Sequence, residues 1–322
     1  MKTGIPPLSW DEQLERNGGS IVQSRHWAEF QDALGHQPVW QQEDDYQWLG
    51  SVWTSHGLRY LVCSYGPVLA KGADPAPAVK SLIDAGRQLG VDFIRLDPQD
   101  HRFAKELKAK GARHIADNQP SHTQVVDLTK SLDELRGDLA SGHRNLINGT
   151  ERRGVSIAQV SDRHNLNKFI EMLKDTARRS HTVFQDDYYF QTLWSTLQPA
   201  DVAKLYVASV DGQPVAGAIF LDCGKTRSYL YAGAWQEKNR QAKASVSLVW
   251  QAMMDAKDAG MTKFDLWGIA PTDDPKHSWA GITRFKQGYG GAQVEYAGTW
   301  DIPLKPQKYR LYTVYRRLRG RQ

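Results

Sequence analysis

Two stretches of twelve residues constrain this chain more than any other feature. AGRQLGVDFIRL (85–96) and AKDAGMTKFDLW (256–267) each run from a helical tail through a glycine stop, Gly90 or Gly260, into a strand bearing Phe93 or Phe264. Each is preceded by three strand-like segments. These are QPVWQQ, YQWLGSVW and RYLVCSYGPVL in the first half and VAKLYVASV, QPVAGAIFLDC and RSYLYAGAW in the second, where Asp211-Gly212 marks a hairpin turn. Helical patterns stand in front of both meanders, HWAEFQDAL (26–34) in one half and NLNKFIEMLKDTARRS (165–180) with DDYYFQTLWSTL (186–197) in the other. Both halves then add a helix and close on a strand, HTQVVDL (122–128) and AQVEYAGTWDI (292–302).

A chain of 322 residues has room for two such copies. The order of elements predicts an α/β chain of two tandem acetyltransferase-like (GNAT-type) domains with mixed, mostly antiparallel sheets. The first is expected over 1–153 and the second over 154–301, with a helix in 302–322 packing back on the first. The joining segment SGHRNLINGTERRGVSI (141–157) carries His143, Arg144, Arg152 and Arg153 and reads as an exposed helix or as a phosphate-contacting shelf.

An acetyltransferase holds the CoA pyrophosphate on backbone N–H groups at a glycine-rich strand-to-helix turn. The equivalent place in the second copy is NRQAKAS (239–245), with Lys243 where the glycine belongs. In the first copy Pro75 and Pro77 stand there. The sequence therefore predicts the fold without an acetyl-CoA site. Metal and classical nucleophile chemistry find no support either. The ten histidines form no H-x-x-x-H, Cys63 and Cys223 no CxxC, and there is neither a G-x-S-x-G elbow nor a phosphate loop. Two isolated cysteines and a first segment without an apolar h-region fit a reducing cytosol. Asp97, in DPQD, is a candidate acid that a cap or turn role explains equally.

Charge is unevenly placed. Residues 302–322 hold Lys305, Lys308, Arg310, Arg316, Arg317, Arg319 and Arg321 and no acid, so the rest of this +5 chain is net acidic. Such a tail suits phosphate backbones or an anionic membrane surface, and equally a solvated helix.

The block LWGIAPTDDPKHSWAGITRFKQGYGG (266–291) resembles the Fem family of peptidoglycan aminoacyltransferases. QSRHWAEF, FIRLDP, VVDLTKS, GVSI, YYF, YLYAGA and WQAMMDAKDAG follow the family's order and spacing. The resemblance implies two acetyltransferase-like domains and transfer of an amino acid from aminoacyl-tRNA to the stem peptide of a cell-wall precursor, an aminoacyltransferase of the EC 2.3.2 type. It implies no cofactor and no metal. Nothing between 160 and 200 is long enough for the helical hairpin of some members, so this is a short form. The family's F-K pair falls on Phe285 and Lys286, implying that Lys286 assists transfer and that Phe285 lies near the tRNA 3′ end. A fixed ammonium would stabilise the oxyanion formed at the ester carbonyl, and an aromatic would stack on a single-stranded RNA end. Trp279, Ile282, Phe285 and Tyr289 share one helical face and read as a core stripe, while the glycines after them read as room for substrate beside the backbone. Tyr189, Tyr231 and Arg240 match positions around the family's precursor site. Where some members clamp a diphosphate, this chain has Glu29 or Gln31, and Gln185. That shifts the expected acceptor from a UDP-linked toward a lipid-linked precursor at the inner membrane face, with the basic tail as a peripheral contact. Two rival functions remain at this stage: an acyl-CoA-dependent N-acyltransferase on the same fold, and a non-enzymatic RNA- or envelope-binding protein.

Overall fold

The structure, a computed structural model, describes residues 1–180 and 184–319. The side chains of 180, 238, 240, 241 and 315–319 fall outside that description. The chain forms two compact units. One comprises residues 1–121 with those from Glu295 onward, the other His122–Val294.

The first unit is built on one sheet. Its strands run in the order Lys2–Thr3, Gln37–Gln42, Tyr46–Ser55, Leu58–Cys63, Phe93–Leu96, Thr299–Pro303 and Arg113–Ile115, with Val68–Leu69 pairing to Tyr46–Ser55. The pairs are antiparallel except Leu58–Cys63 with Phe93–Leu96, which is parallel. The connection between those two parallel strands is the helix Pro75–Gln88. Proline opens it, and the Asp74 carboxylate accepts from the Ala76 N–H at 3.0 Å. Ala78, Val79, Leu82 and Ala85 form its buried stripe, against a core containing Trp48, Leu61, Ile94, Phe103, Trp300 and Ile302.

The second unit repeats the plan. Its order is Ala292–Glu295, His122–Asp127, Lys263–Gly268, Thr226–Ala234, Gln213–Cys223, Ala203–Val210 and Val155–Val160. Thr226–Ala234 with Lys263–Gly268 is again parallel, joined through the helix Ala244–Asp258. Val246, Val249, Trp250 and Met253 on that helix pack on Phe220, Tyr229, Phe264 and Leu266. The acetyltransferase-like arrangement thus occurs twice.

The division of the chain differs from the sequence expectation in one respect. The strand closing each sheet comes from the other half of the sequence. His122–Asp127 pairs antiparallel with Lys263–Gly268 in the second unit, and Thr299–Pro303 pairs with Phe93–Leu96 in the first. AQVEYAGTWDI is therefore two strands, Ala292–Glu295 and Thr299–Pro303, in different sheets. The boundaries fall at 121/122 and 294/295, not at 153/154 and 301/302. The helix Pro306–Arg319 lies in the first unit, where Tyr309 is buried against Leu58 and Phe93. No described helix is long and apolar enough to cross a membrane.

Candidate active site

The site lies within the second unit, where its sheet splays. Thr226–Ala234 and Lys263–Gly268 pair only over Thr226–Ser228 and Lys263–Asp265, then part. A register shift between Ile219 and Phe220 displaces the alternation opposite Tyr229 and Tyr231. Tyr229 therefore joins the core under helix Ala244–Asp258, while Tyr231 packs edge-on to Phe190, with ring centroids 5.1 Å apart. The Tyr231 hydroxyl meets that of Tyr189 at 2.8 Å. Burial raises both phenols, Tyr231 to about 12.

Helix Ala280–Gln287 brings Lys286 into the gap between the parted strands. Only 6% of this lysine is exposed. Its Nζ donates to the Gly268 carbonyl at 2.6 Å and lies 5.7 Å from the centre of the Tyr229 ring. Asp265 builds the receiving end. Its carboxylate accepts from the Thr123 hydroxyl and, at 2.8 Å, from the Trp267 N–H. Trp267 is left-handed, with φ at 63°, so the chain turns there and the next carbonyl is the one Lys286 reaches. Burial lowers the Lys286 pKa from 10.5 to about 7, with the nearby Asp265 acting in the opposite direction. At neutral pH this amine can therefore either donate or accept a proton.

A cavity of about 310 Å³ opens beside it. Tyr229 belongs to both features, since it lines the cavity and carries the lysine on its ring. Ala232, Val246, Ile282 and Phe285 supply apolar wall, and Thr176, Arg179, Asn239, Lys243 and Ser245 polar wall. Lys243 occupies the left-handed region at φ 50°, immediately before helix Ala244–Asp258. The backbone there keeps the geometry of the missing glycine while presenting a cation.

The expected core stripe is only partly a stripe. Tyr289 is buried, but Trp279 is 39% and Ile282 40% exposed. The helix begins at Ala280, with Trp279 as its cap, and Ile282 and Phe285 turn toward the cavity. Phe285 is both wall and packing residue, edge-on to Tyr289 at 5.5 Å between centroids.

The glycines that follow make room for the protein's own chain. A Cβ on Gly288 would stand 2.3 Å from His143 Cε1, and one on Gly291, at φ +83°, 2.3 Å from the Val125 carbonyl oxygen. His143 is a supporting residue that the sequence showed only as one more cation. Its Nε2 lies 3.0 Å from the Phe285 carbonyl oxygen, and its ring meets Tyr289 edge-on. Burial lowers its pKa, which favours the neutral ring. The phosphate shelf fails for its two other bonded cations, which are spent on carbonyls. Arg144 donates to those of Arg136, Gly137 and Leu139, and Arg153 to those of Ala242 and Leu146.

Arg240 lies on helix Gln236–Ala242, and its side chain is outside the described residues. In the first unit, Glu29 is engaged by Arg25 and His26, and Gln31 is buried. Asp97 is also buried, accepting from the Thr299 hydroxyl, the Gln119 N–H and the Asn118 amide, and burial lifts its pKa to about 6. Those bonds tie strand to loop and account for it as a structural residue. Among the described residues no His, Cys, Asp and Glu cluster could hold a metal ion.

The sequence profile of the FemAB family matches residues 92–214 and 210–317, which is most of the chain and includes every element of this site. The chain belongs to the FemAB family. A relative from Staphylococcus aureus (strain USA300), named lipid II:glycine glycyltransferase, is 21% identical over 218 residues, covering 62% of this chain and 51% of its own. The chain thus spans about half the length of the curated relatives it matches. Among solved structures, that of FemX superposes with a TM-score of 0.78 at 18% identity, covering 97% of this chain and 99% of that one. The C-terminal domain of a putative lysylphosphatidylglycerol synthetase from Agrobacterium fabrum follows at a TM-score of 0.60 and 17% identity, covering 90% and 92%. At these identities the structural likenesses establish a FemAB-type fold.

Proposed function

We propose that this FemAB protein is an aminoacyl-tRNA-dependent transferase that adds an amino acid to the stem peptide of a peptidoglycan precursor, in cell-wall cross-bridge formation. The carrying observation is Lys286, a buried amine with a pKa near 7 whose ammonium lies on the ring of Tyr229, a wall residue of the cavity. In the reaction, an amine of the precursor attacks the carbonyl of the ester joining the amino acid to the terminal ribose. A C–N bond forms, the ester C–O bond breaks, and the ribose oxygen takes the proton released by the nitrogen. Negative charge develops on the carbonyl oxygen in between. Protonated Lys286, fixed by Gly268 O, is the donor for that oxygen. Phe285, in the cavity wall, is assigned to the 3′-terminal nucleotide. Tyr189, Tyr231 and Arg240 are assigned to the precursor. The reading needs no cofactor and no metal, because positioning and one charge supply the catalysis.

A lipid-linked acceptor is favoured over a UDP-linked one. Glu29, Gln31 and Gln185 offer no cation for a soluble diphosphate, and the Staphylococcus aureus relative is named for lipid II. The protein would then work in the cytoplasm against the inner face of the plasma membrane. The test combines purified protein with a pool of charged tRNAs and either UDP-linked or lipid-linked precursor, and weighs the products. A gain of one amino-acid residue on the lipid-linked precursor is expected. No gain on either precursor, together with saturable CoA binding, would replace this reading with acyl-CoA-dependent transfer.

A further inference from the structure

The helix Pro306–Arg319 has two unlike sides. Tyr309 is buried, edge-on to Phe93 at 5.4 Å between centroids, with its hydroxyl donating to Asp301 at 2.8 Å. Tyr312 stacks on the same phenylalanine. Asp301 is itself held by both nitrogens of an Arg95 fork at 2.8 Å, so this side is firmly fixed to its own sheet. On the opposite side of the helix, Leu311 is 73% and Val314 53% exposed. Three positions apart, they are neighbours on the helix surface. They belong to a very small set of large apolar side chains left in water among the described residues. Lys308, which also reaches the Asp92 carboxylate at 3.4 Å, and Arg310 flank them, both exposed, and the sequence beyond adds Arg316, Arg317 and Arg319 without an acid. Beside Leu311, a groove of about 460 Å³ opens between this helix and the turn at His56-Gly57.

We infer that this helix lies in the plane of an anionic phospholipid surface, with Leu311 and Val314 inserted among the acyl chains and Lys308 and Arg310 at the phosphates. An in-plane membrane helix needs an aliphatic stripe bordered by cations, and both are present. The tail's charge alone would suit RNA equally. The described side chains decide against it, because Tyr309 and Tyr312, which could stack on bases, face inward onto Phe93 and the outward Leu311 and Val314 are aliphatic. A second copy of the same face is disfavoured by its own cations. The inference deepens the reading of a lipid-linked acceptor, but its test requires neither precursor nor charged tRNA, so the two can fail separately.

The test is co-sedimentation of the full chain with vesicles of phosphatidylcholine, with and without phosphatidylglycerol. Binding is expected only with the anionic lipid, weakening as salt rises. Arg310→Glu changes the charge by two, and at about fivefold per charge near such a surface should weaken binding roughly 25-fold. Leu311→Asp with Val314→Asp should weaken it at least about tenfold while leaving thermal unfolding unchanged. Leu311→Trp should strengthen it, a readout independent of any loss of folding. The inference is overturned if the wild-type chain ignores anionic vesicles, or if the aspartate pair binds them as well as wild type. It is equally overturned if that pair spares the vesicles and instead weakens retention of a single-stranded RNA oligonucleotide.

Discussion

Burial works against the charge on Lys286, and removing the amine should make that visible. Burial lowers its pKa from 10.5 to about 7, which corresponds to roughly 5 kcal/mol separating the charged from the neutral form in the folded protein. Below about pH 7 the amine is charged both folded and unfolded, so the full burial penalty stands. Between about 7 and 10.5 the folded amine is neutral while the unfolded chain still binds its proton, so stability rises with pH across that window. The stability associated with the neutral amine is complete above about 10.5 and lost as pH falls through 7. Lys286→Met keeps the length and removes the charge. At pH 6.5 it recovers the penalty, less roughly 1–3 kcal/mol for leaving the Gly268 carbonyl without a donor. The expected gain is about 2–4 kcal/mol, or roughly 5–10 °C in the melting of a unit this size. Transfer by the same variant should fall about 10²–10³-fold. Calorimetry from pH 6.5 to 9.5, with the transfer rate at pH 7, measures both. The gap in Tm should be widest at pH 6.5 and close steadily with rising pH. A variant that melts lower than wild type at pH 6.5, or a gap indifferent to pH, would refute the claim that the Lys286 charge is kept here against stability.

Lys286→Arg should retain part of the activity and lose the decline of kcat/KM above pH 7, because a guanidinium does not titrate there; a pH profile of both proteins decides it. Gly288→Ala drives a methyl into His143, at 2.3 Å from Cε1, and should lower stability by about 1–3 kcal/mol and slow transfer by shifting Phe285; chemical denaturation and the transfer assay report the two effects. Tyr231→Phe removes the hydroxyl partner of Tyr189 and should raise KM for the precursor while leaving KM for charged tRNA unchanged. A fragment spanning 122–294 should fold by itself with a cooperative melt, whereas 154–301 should not, since it lacks Val126, fully buried in that core.

The repeat was legible because it rests on local signals. Gly90 and Gly260 stop helices at equivalent places, and the strands that follow put Ile94 and Phe264 into the cores under the crossover helices, whereas Phe93, one residue out of step, faces Tyr309. The destination of the closing strands was not legible. HTQVVDL alternates like any half-buried strand, and its pattern reports a buried face without saying which sheet buries it. The break inside AQVEYAGTWDI was the available clue. Gly298 adopts φ +73°, and a Cβ there would lie 2.5 Å from His114, so a glycine in the middle of an apparent strand marked the point where the chain leaves one sheet for the other.

At the site, the sequence singled out Lys286 but not the burial that lowers its pKa. Spacing placed Lys286 beside Phe285. It could not show that two parallel strands part after three paired residues, that a register shift turns Tyr229 under the ammonium, or that Asp265 bends the chain at Trp267 so that a carbonyl faces the amine. These are relations between elements far apart in sequence, and periodicity carries no information about them. The glycines show the same limit. Read locally, they promised space for a substrate. In the fold, two of them are filled by His143 and Val125, and the open volume lies instead on the Ile282 and Phe285 side of the same helix. A helix one turn shorter than its apolar pattern leaves those two residues facing the cavity, so residues that read as core form the wall of the site.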